Sequence, residues 1–211
     1  MEGNRGVSIY NLRPLEVGGV EARQGFQIQD HVAAGFCIEM LSRAELIEVW
    51  CETQDDITLI WQEDGGKCVE FVQVKSNELN QLWSIAELCK REKGKVNKKV
   101  GSSIIERSLA YDRCREPCCF RIVTCRPVMT ELEGLTLPID SEQRAAKGED
   151  LNQLKGRVEE KVGDFRSPND NGPSYWVDKT KWDVRHSEQG IKDANLILQR
   201  YLGFQNATTY R

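Results

Sequence analysis

Apolar positions recur at two periods along this chain, and the switch between them marks out its elements. Ala33, Phe36, Cys37, Met40 and Leu41 fall at helical spacing, which predicts a core-facing helix starting at Arg23 or Gln24. Leu46-Ile47-Glu48-Val49-Trp50-Cys51 is a short β-branched and aromatic run, as a strand requires. Two further runs follow between Glu52 and Lys75, split by Glu63-Asp64-Gly65-Gly66-Lys67. They predict a β-hairpin with a Gly-bearing loop. A helix is expected from Ser84, where Ser84 and Glu87 are spaced as a capping box, and another opened by Gly101, with Ser103 and Glu106 spaced likewise. The run Cys118-Cys119-Phe120-Arg121-Ile122-Val123-Thr124-Cys125 then reads as a strand returning to the sheet.

The remainder is less regular. Residues 1–22 hold Pro14 and Gly18-Gly19 and read as an arm with one short strand over residues 7–10. Residues 130–147 are turn-prone. Leu151, Leu154, Val158, Val162 and Phe165 mark an amphipathic helix, and Ser167-Pro168-Asn169-Asp170-Asn171-Gly172-Pro173 is a loop. Tyr175-Trp176-Val177 and Trp182-Asp183-Val184 resemble small edge strands. Ile191, Ala194, Leu198, Tyr201 and Leu202 form the stripe of a last helix, with Gly203 as its C-cap. The fold class is α/β: a mixed sheet flanked by helices, with an arm over 1–22, a core over 23–130 and a helical extension over 131–211 packed on it.

Composition narrows the class without choosing a function. The 211 residues suit one domain with decorations, and 39% hydrophobic against 29% charged residues is a soluble globular balance. No apolar run is long enough to span a bilayer and no apolar leader follows Met1, so the expected setting is the cytoplasm. The net charge of −4 argues against nonspecific nucleic-acid binding by the chain as a whole, though not against a local basic face. Cys37, Cys51, Cys68 and Cys89 read as small core residues. Cys114, Cys118, Cys119 and Cys125 raise the question of zinc, but there is no Cys-x-x-Cys pair, and structural zinc sites normally have one.

The hairpin carries the candidate chemistry. Gln73 and Lys75 share a face because strand side chains alternate, and antiparallel pairing returns them beside Asp56. A carboxylate, a second oxygen ligand and an ammonium at one sheet edge suit metal-assisted attack on a phosphodiester. Acids at strand starts and lysines at strand ends are also ordinary solvated positions. Lys90, Arg91, Lys93, Lys95, Lys98 and Lys99 form a basic segment, either a solvated loop or a contact for nucleic-acid phosphates. Tyr175, Trp176 and Trp182, interleaved with Lys179, Lys181 and Arg185, are either core or a base-stacking platform.

Gly25-Phe26-Gln27-Ile28-Gln29 leading a helix, then Glu52, Asp55-Asp56-Ile57 and Gln73-Val74-Lys75-Ser76, resembles the PD-(D/E)xK nuclease superfamily. Within it the set is similar to the double-stranded-DNA endonuclease domain of bacterial anti-phage effectors of the CBASS and Lamassu type. The resemblance implies a restriction-endonuclease-like fold, with Asp56 and Gln73 as Mg²⁺ ligands (Mn²⁺ as substitute), Lys75 acting on the attacking water or scissile phosphate, and Glu52 and Gln29 in support. It also implies double-stranded DNA as substrate, restraint by a sensor domain or partner subunit, and self-association on activation. Gln73 departs from the superfamily's usual Asp or Glu and adds no charge to a metal. That leaves a catalytically idle DNA-binding or assembly module, or an RNase or restriction enzyme on the same scaffold, as alternatives.

Overall fold

A computed structural model describes residues 7–12, 27–75, 81–94, 97–185 and 187–209. The helix α1 (Gln27–Met40) is followed by three strands, β1 (Leu46–Cys51), β2 (Ile57–Glu63) and β3 (Gly66–Lys75). The short helix α2 (Ile85–Leu88) and α3 (Ile104–Tyr111) lead to β4 (Cys118–Thr124). Then come α4 (Glu142–Ala146), α5 (Gly148–Val162), α6 (Pro173–Lys179), β5 (Thr180–Val184) and α7 (Glu188–Thr209). The strands lie in sequence order in one mixed sheet: β1–β2 and β2–β3 are antiparallel, β3–β4 and β4–β5 parallel.

The hairpin closes with Glu63 opposite Gly66, leaving Asp64 and Gly65 at the tip. Gly66 has φ of +120°, a conformation that side-chain-bearing residues avoid. Both parallel connections need crossovers, which α3 and the α4–α6 segment supply. Alternation along β3 splits the core in two. Val69 and Phe71 join Leu109, Phe120, Leu154, Trp176 and Trp182 on one face. Cys68 and Val72 join Phe36, Leu59, Val123 and Ile191 on the other, under α1 and α7. Both capping boxes form as expected, Ser84 with Glu87 and Ser103 with Glu106.

Several expectations are corrected. Val7 makes only an isolated bridge to Cys114, and Ile9–Asn11 is a 3-10 turn, so residues 7–10 are not a strand. The β2 strand starts at Ile57, leaving residues 52–56 irregular. Residues 173–179 are helical with Pro173 in the first turn, where its missing N–H costs nothing. Residues 130–147, expected to be turns, contain a 3-10 helix over Thr130–Thr136 and then α4. Gly203 does not end the last helix, which runs to Thr209. Cys37 and Cys51 are exposed, and so is Leu41, just beyond α1. Cys114 and Cys118 face each other with sulfurs 3.3 Å apart, whereas Cys119 and Cys125 pack on the opposite side of the sheet, so the four thiols do not converge. The expected helix start at Arg23 or Gln24, and Gly25-Phe26 and Ser76, lie outside the described residues.

Candidate active site

The register of β2 on β3 sets Ile57 opposite Val72, which brings the residue before Ile57 beside Gln73. The contact is closed by a backbone bond: Val74 N–H donates to Asp56 Oδ2 at 2.7 Å. Lys75 ends β3, level with Thr124 of β4. Asp56, Gln73 and Lys75 therefore gather at the end of the sheet where the parallel strands β3, β4 and β5 finish. Gln73 is only 4% exposed, while Lys75 is half-buried and, among the described residues, has no carboxylate within ion-pair distance.

The irregular segment 52–56 owes its shape to a small bond network. Glu52 has φ of +54°, a left-handed conformation that costs a non-glycine residue about 1–2 kcal/mol. It is held there by its N–H donating to the Asp56 carbonyl at 3.1 Å. The Gln29 side chain, from the first turns of α1, donates to the Glu52 carboxylate and, at 3.2 Å, to the same carbonyl. Gln54 donates to the Leu12 carbonyl at 3.1 Å and accepts from Arg113 Nη2 at 2.9 Å. Gln29 and Glu52 thus shape the turn that presents Asp56.

Asp55 also enters the cluster, which the strand pattern did not foresee. Alternation would send it to the face opposite Asp56, but residues 52–56 are not a strand, so the rule lapses there. Its Oδ1 accepts the Asp56 N–H at 3.0 Å. Burial, and then the Asp56 charge, push the Asp55 carboxyl well above its usual range. The Asp56 N–H, Lys75 and the Gln73 amide pull the other way without balancing them. Asp55 Oδ2 and Gln73 Oε1 are buried and accept no hydrogen bond from the described residues. An uncompensated buried acceptor costs about 1–3 kcal/mol, and oxygen atoms are what a hard divalent cation selects. The donor types present therefore fit such an ion. Among the described residues no three His, Cys, Asp or Glu side chains group so as to hold a metal ion by themselves.

Of the basic segment, Lys90, Lys93, Lys98 and Lys99 are exposed on a loop pinched by a Lys93–Lys98 bridge. Lys95 lies outside the described residues. Arg91 is a structural anchor: it donates to the buried Glu106 at 2.5 and 2.8 Å and to the Val162 carbonyl at 2.7 Å. The aromatic group is core as well. Trp176 and Trp182 are fully buried and present no face for base stacking, and the half-buried Tyr175 packs edge-on against Phe120 with its hydroxyl donating to the Cys118 carbonyl at 2.7 Å.

The model of the Cap4 dsDNA endonuclease domain family matches residues 17–200, a span that holds every residue of the cluster. This chain belongs to that family. It is 32% identical over 196 residues to anti-bacteriophage protein A of Escherichia coli (strain K12), across 86% of this chain and 34% of that protein. This member of the Cap4 nuclease family thus spans about a third of the length of that relative. Two solved structures of the Acinetobacter baumannii Cap4 SAVED/CARF-domain containing receptor share its fold. One, with the cyclic trinucleotide 2'3'3'-cAAA, has a TM-score of 0.53 at 16% identity over 87% of this chain and 37% of the receptor. The other has a TM-score of 0.53 at 15% identity over 84% and 37%. The α/β class, a mixed sheet flanked by helices, is common to this chain and those neighbours.

Proposed function

We propose that this chain cuts double-stranded DNA by divalent-cation-assisted hydrolysis, as the nuclease part of an anti-phage effector held in check by a sensor domain or partner subunit. The observation that carries this is the meeting of Asp56, Gln73 and an ammonium with no ion-pair partner among the described residues, Lys75, at one sheet end in a chain of the Cap4 nuclease family. Asp56 and Gln73 hold the cation in this reading. Mg²⁺, or Mn²⁺ in its place, neutralises phosphate charge and lowers the pKa of a ligated water. The Val74 N–H fixes the Asp56 carboxylate, so that its second oxygen need not reorganise when DNA arrives. Lys75 orients the attacking water and stabilises charge growing on the phosphate oxygens; a preorganised donor of this kind is worth about 10²–10³ in rate. The Gln29–Glu52 pair holds the turn and is placed to position Asp56 rather than to touch DNA.

Lys90, Lys93, Lys98 and Lys99, with Lys95, grip the DNA backbone. Their charge is local in a chain that is acidic overall, which favours this loop for contact with the DNA backbone. The restraint by a sensor is supported by relatives about three times as long as this chain, one of them a SAVED/CARF-domain containing receptor. Activation by self-association and a cytoplasmic setting belong to the same reading; no helix among the described residues is long and apolar enough to cross a membrane.

The test incubates supercoiled plasmid, and RNA in parallel, with Mg²⁺, Mn²⁺ or EDTA, comparing wild type with Lys75→Ala. Metal-dependent nicking that falls at least 100-fold in the variant supports the reading. Equal nicking by both proteins removes Lys75 from the site, and cleavage of RNA alone overturns the substrate. Salt-sensitive DNA binding with intact plasmid, even in Mn²⁺, replaces the enzyme by an idle binding module.

A further inference from the structure

Within the proposed metal-dependent reading, we infer that Asp55 supplies a second carboxylate to the cation site, in place of the charge that Gln73 does not bring. A site made only of Asp56 and Gln73 offers a divalent ion one negative charge. Affinity for hard cations is tuned by the number of charged oxygen ligands, so such a site is weak on its own. Asp55 sits where the missing charge is needed. Asp56 and Lys75 lie close enough to act on its carboxylate, and the Gln73 amide approaches it without closing a bond of good geometry.

Local structure accounts for only half of the Asp55 side chain. Its Oδ1 accepts the Asp56 N–H and shapes the turn, a task that Asn or Ser performs equally well. Its Oδ2 is buried and accepts nothing from the described residues. Gln73 shows the same pattern independently: a side chain 4% exposed, near the end of β3, with its amide oxygen unpartnered among the described residues. Were Gln73 merely filling space, Leu or Met would do so without leaving a lone acceptor in the interior. Two buried oxygens on neighbouring side chains, both lacking donors and flanking a third carboxylate-bearing residue, point to a shared electropositive occupant. A protein donor does not fill that role among the described residues.

Adjacent residues serve one ion here because the backbone at residues 52–56 is not extended. Glu52 turns the chain through its left-handed φ, and the Gln29 amide holds the turn at both ends, so Asp55 and Asp56 need not diverge.

The test is direct cation binding, without DNA. Mn²⁺ is titrated into the whole chain by calorimetry and by the loss of free-ion Mn²⁺ resonance, and the rise in Tm with Mn²⁺ and Ca²⁺ is measured in parallel. The variants are D55N, D56N and the double variant D55N/Q73E. The D55N substitution retains the acceptor for the Asp56 N–H, and the cation-free Tm reports whether the fold survives. The expected result is an Mn²⁺ affinity lowered more than about tenfold in D55N, with its Tm rise lost. Binding returns in D55N/Q73E, where the charge has moved from one wall of the site to the other. D55N binding Mn²⁺ as tightly as wild type, while D56N does not, overturns the role of Asp55 and leaves the metal site standing. Failure of the double variant to regain affinity overturns the charge-replacement account. Wild type that takes up no Mn²⁺ at millimolar concentration overturns the metal-dependent reading itself.

Discussion

Replacing Glu70 by glutamine tests what holds in place the strand that carries Gln73 and Lys75. Glu70 lies on β3, three residues before Gln73 and 4% exposed. It accepts from Arg121 Nε at 2.7 Å, from Arg121 Nη2 at 3.0 Å and from Trp61 Nε1 at 2.9 Å. One carboxylate thus joins β2, β3 and β4 side by side, with the Arg121 guanidinium also over the Phe36 ring of α1 at 5.1 Å. Glutamine keeps the shape but removes the charge, and it turns one acceptor into a donor facing donors. Breaking a buried ion pair from one side costs about 3–5 kcal/mol. At about 2–4 °C per kcal/mol for a chain of this size, Tm should fall by about 6–20 °C. Removing both charges is a different perturbation: E70L/R121L leaves only the Trp61 N–H without its acceptor, at about 1–3 kcal/mol, against a well-packed apolar replacement that is often neutral or better. Urea denaturation of E70L, R121L and E70L/R121L gives the coupling energy. A loss below about 1 kcal/mol in E70Q, or a double variant as damaged as the single, refutes the assignment of the pair as a buried clamp.

Other perturbations read other parts of the molecule. Ser103→Ala removes the N-cap of α3 and should cost about 1 kcal/mol by urea midpoint, within a range of about 0.5–2. Burial alone raises the Glu106 carboxyl, but Arg91, the Ser103 hydroxyl and backbone N–H groups outweigh it and hold it below its usual range. Its folded value thus lies below its unfolded one, so its contribution is complete above about pH 4.3 and is lost as pH falls through the folded value. Glu106→Gln should flatten the fall in urea midpoint as the pH drops below about 4.3. Alanine at Lys90, Lys93, Lys98 and Lys99 together should lower the slope of log K against log salt for duplex DNA by about 3–4, at roughly 0.9 per phosphate contact. An unchanged slope removes that loop from the interface.

What was legible in the sequence was local. The two capping boxes sit within four residues each, and both formed. The hairpin's register follows from its short loop and its hydrophobic alternation, which is why pattern alone brings Asp56, Gln73 and Lys75 together. Alternation failed where the chain left the strand: Asp55 was not placed in the cluster because residues 52–56 turn instead of extending. Tyr175-Trp176-Val177 is rich in strand-forming residues, yet Pro173 at a helix start and the need to cross over into a parallel β5 decided for helix. Arg91 looked like one more cation of a basic run. Its partners, Glu106 and the Val162 carbonyl, are 15 and 71 positions away, and no local pattern announces them. The aromatic cluster was ambiguous for the same reason, since only tertiary packing tells a buried tryptophan from a platform.

The last helix reaches the first with little slack. Asn195 of α7 donates to the His31 carbonyl of α1 at 2.8 Å, and a single methyl group added at Gly35 would sit 2.8 Å from the Asn195 side-chain oxygen. His31 is two positions from Gln29, the residue that grips the turn beneath Asp56. A shift of α7 must therefore either break that clasp or drag the first helix with it, so the last and first helices are coupled mechanically within one helical turn of Gln29.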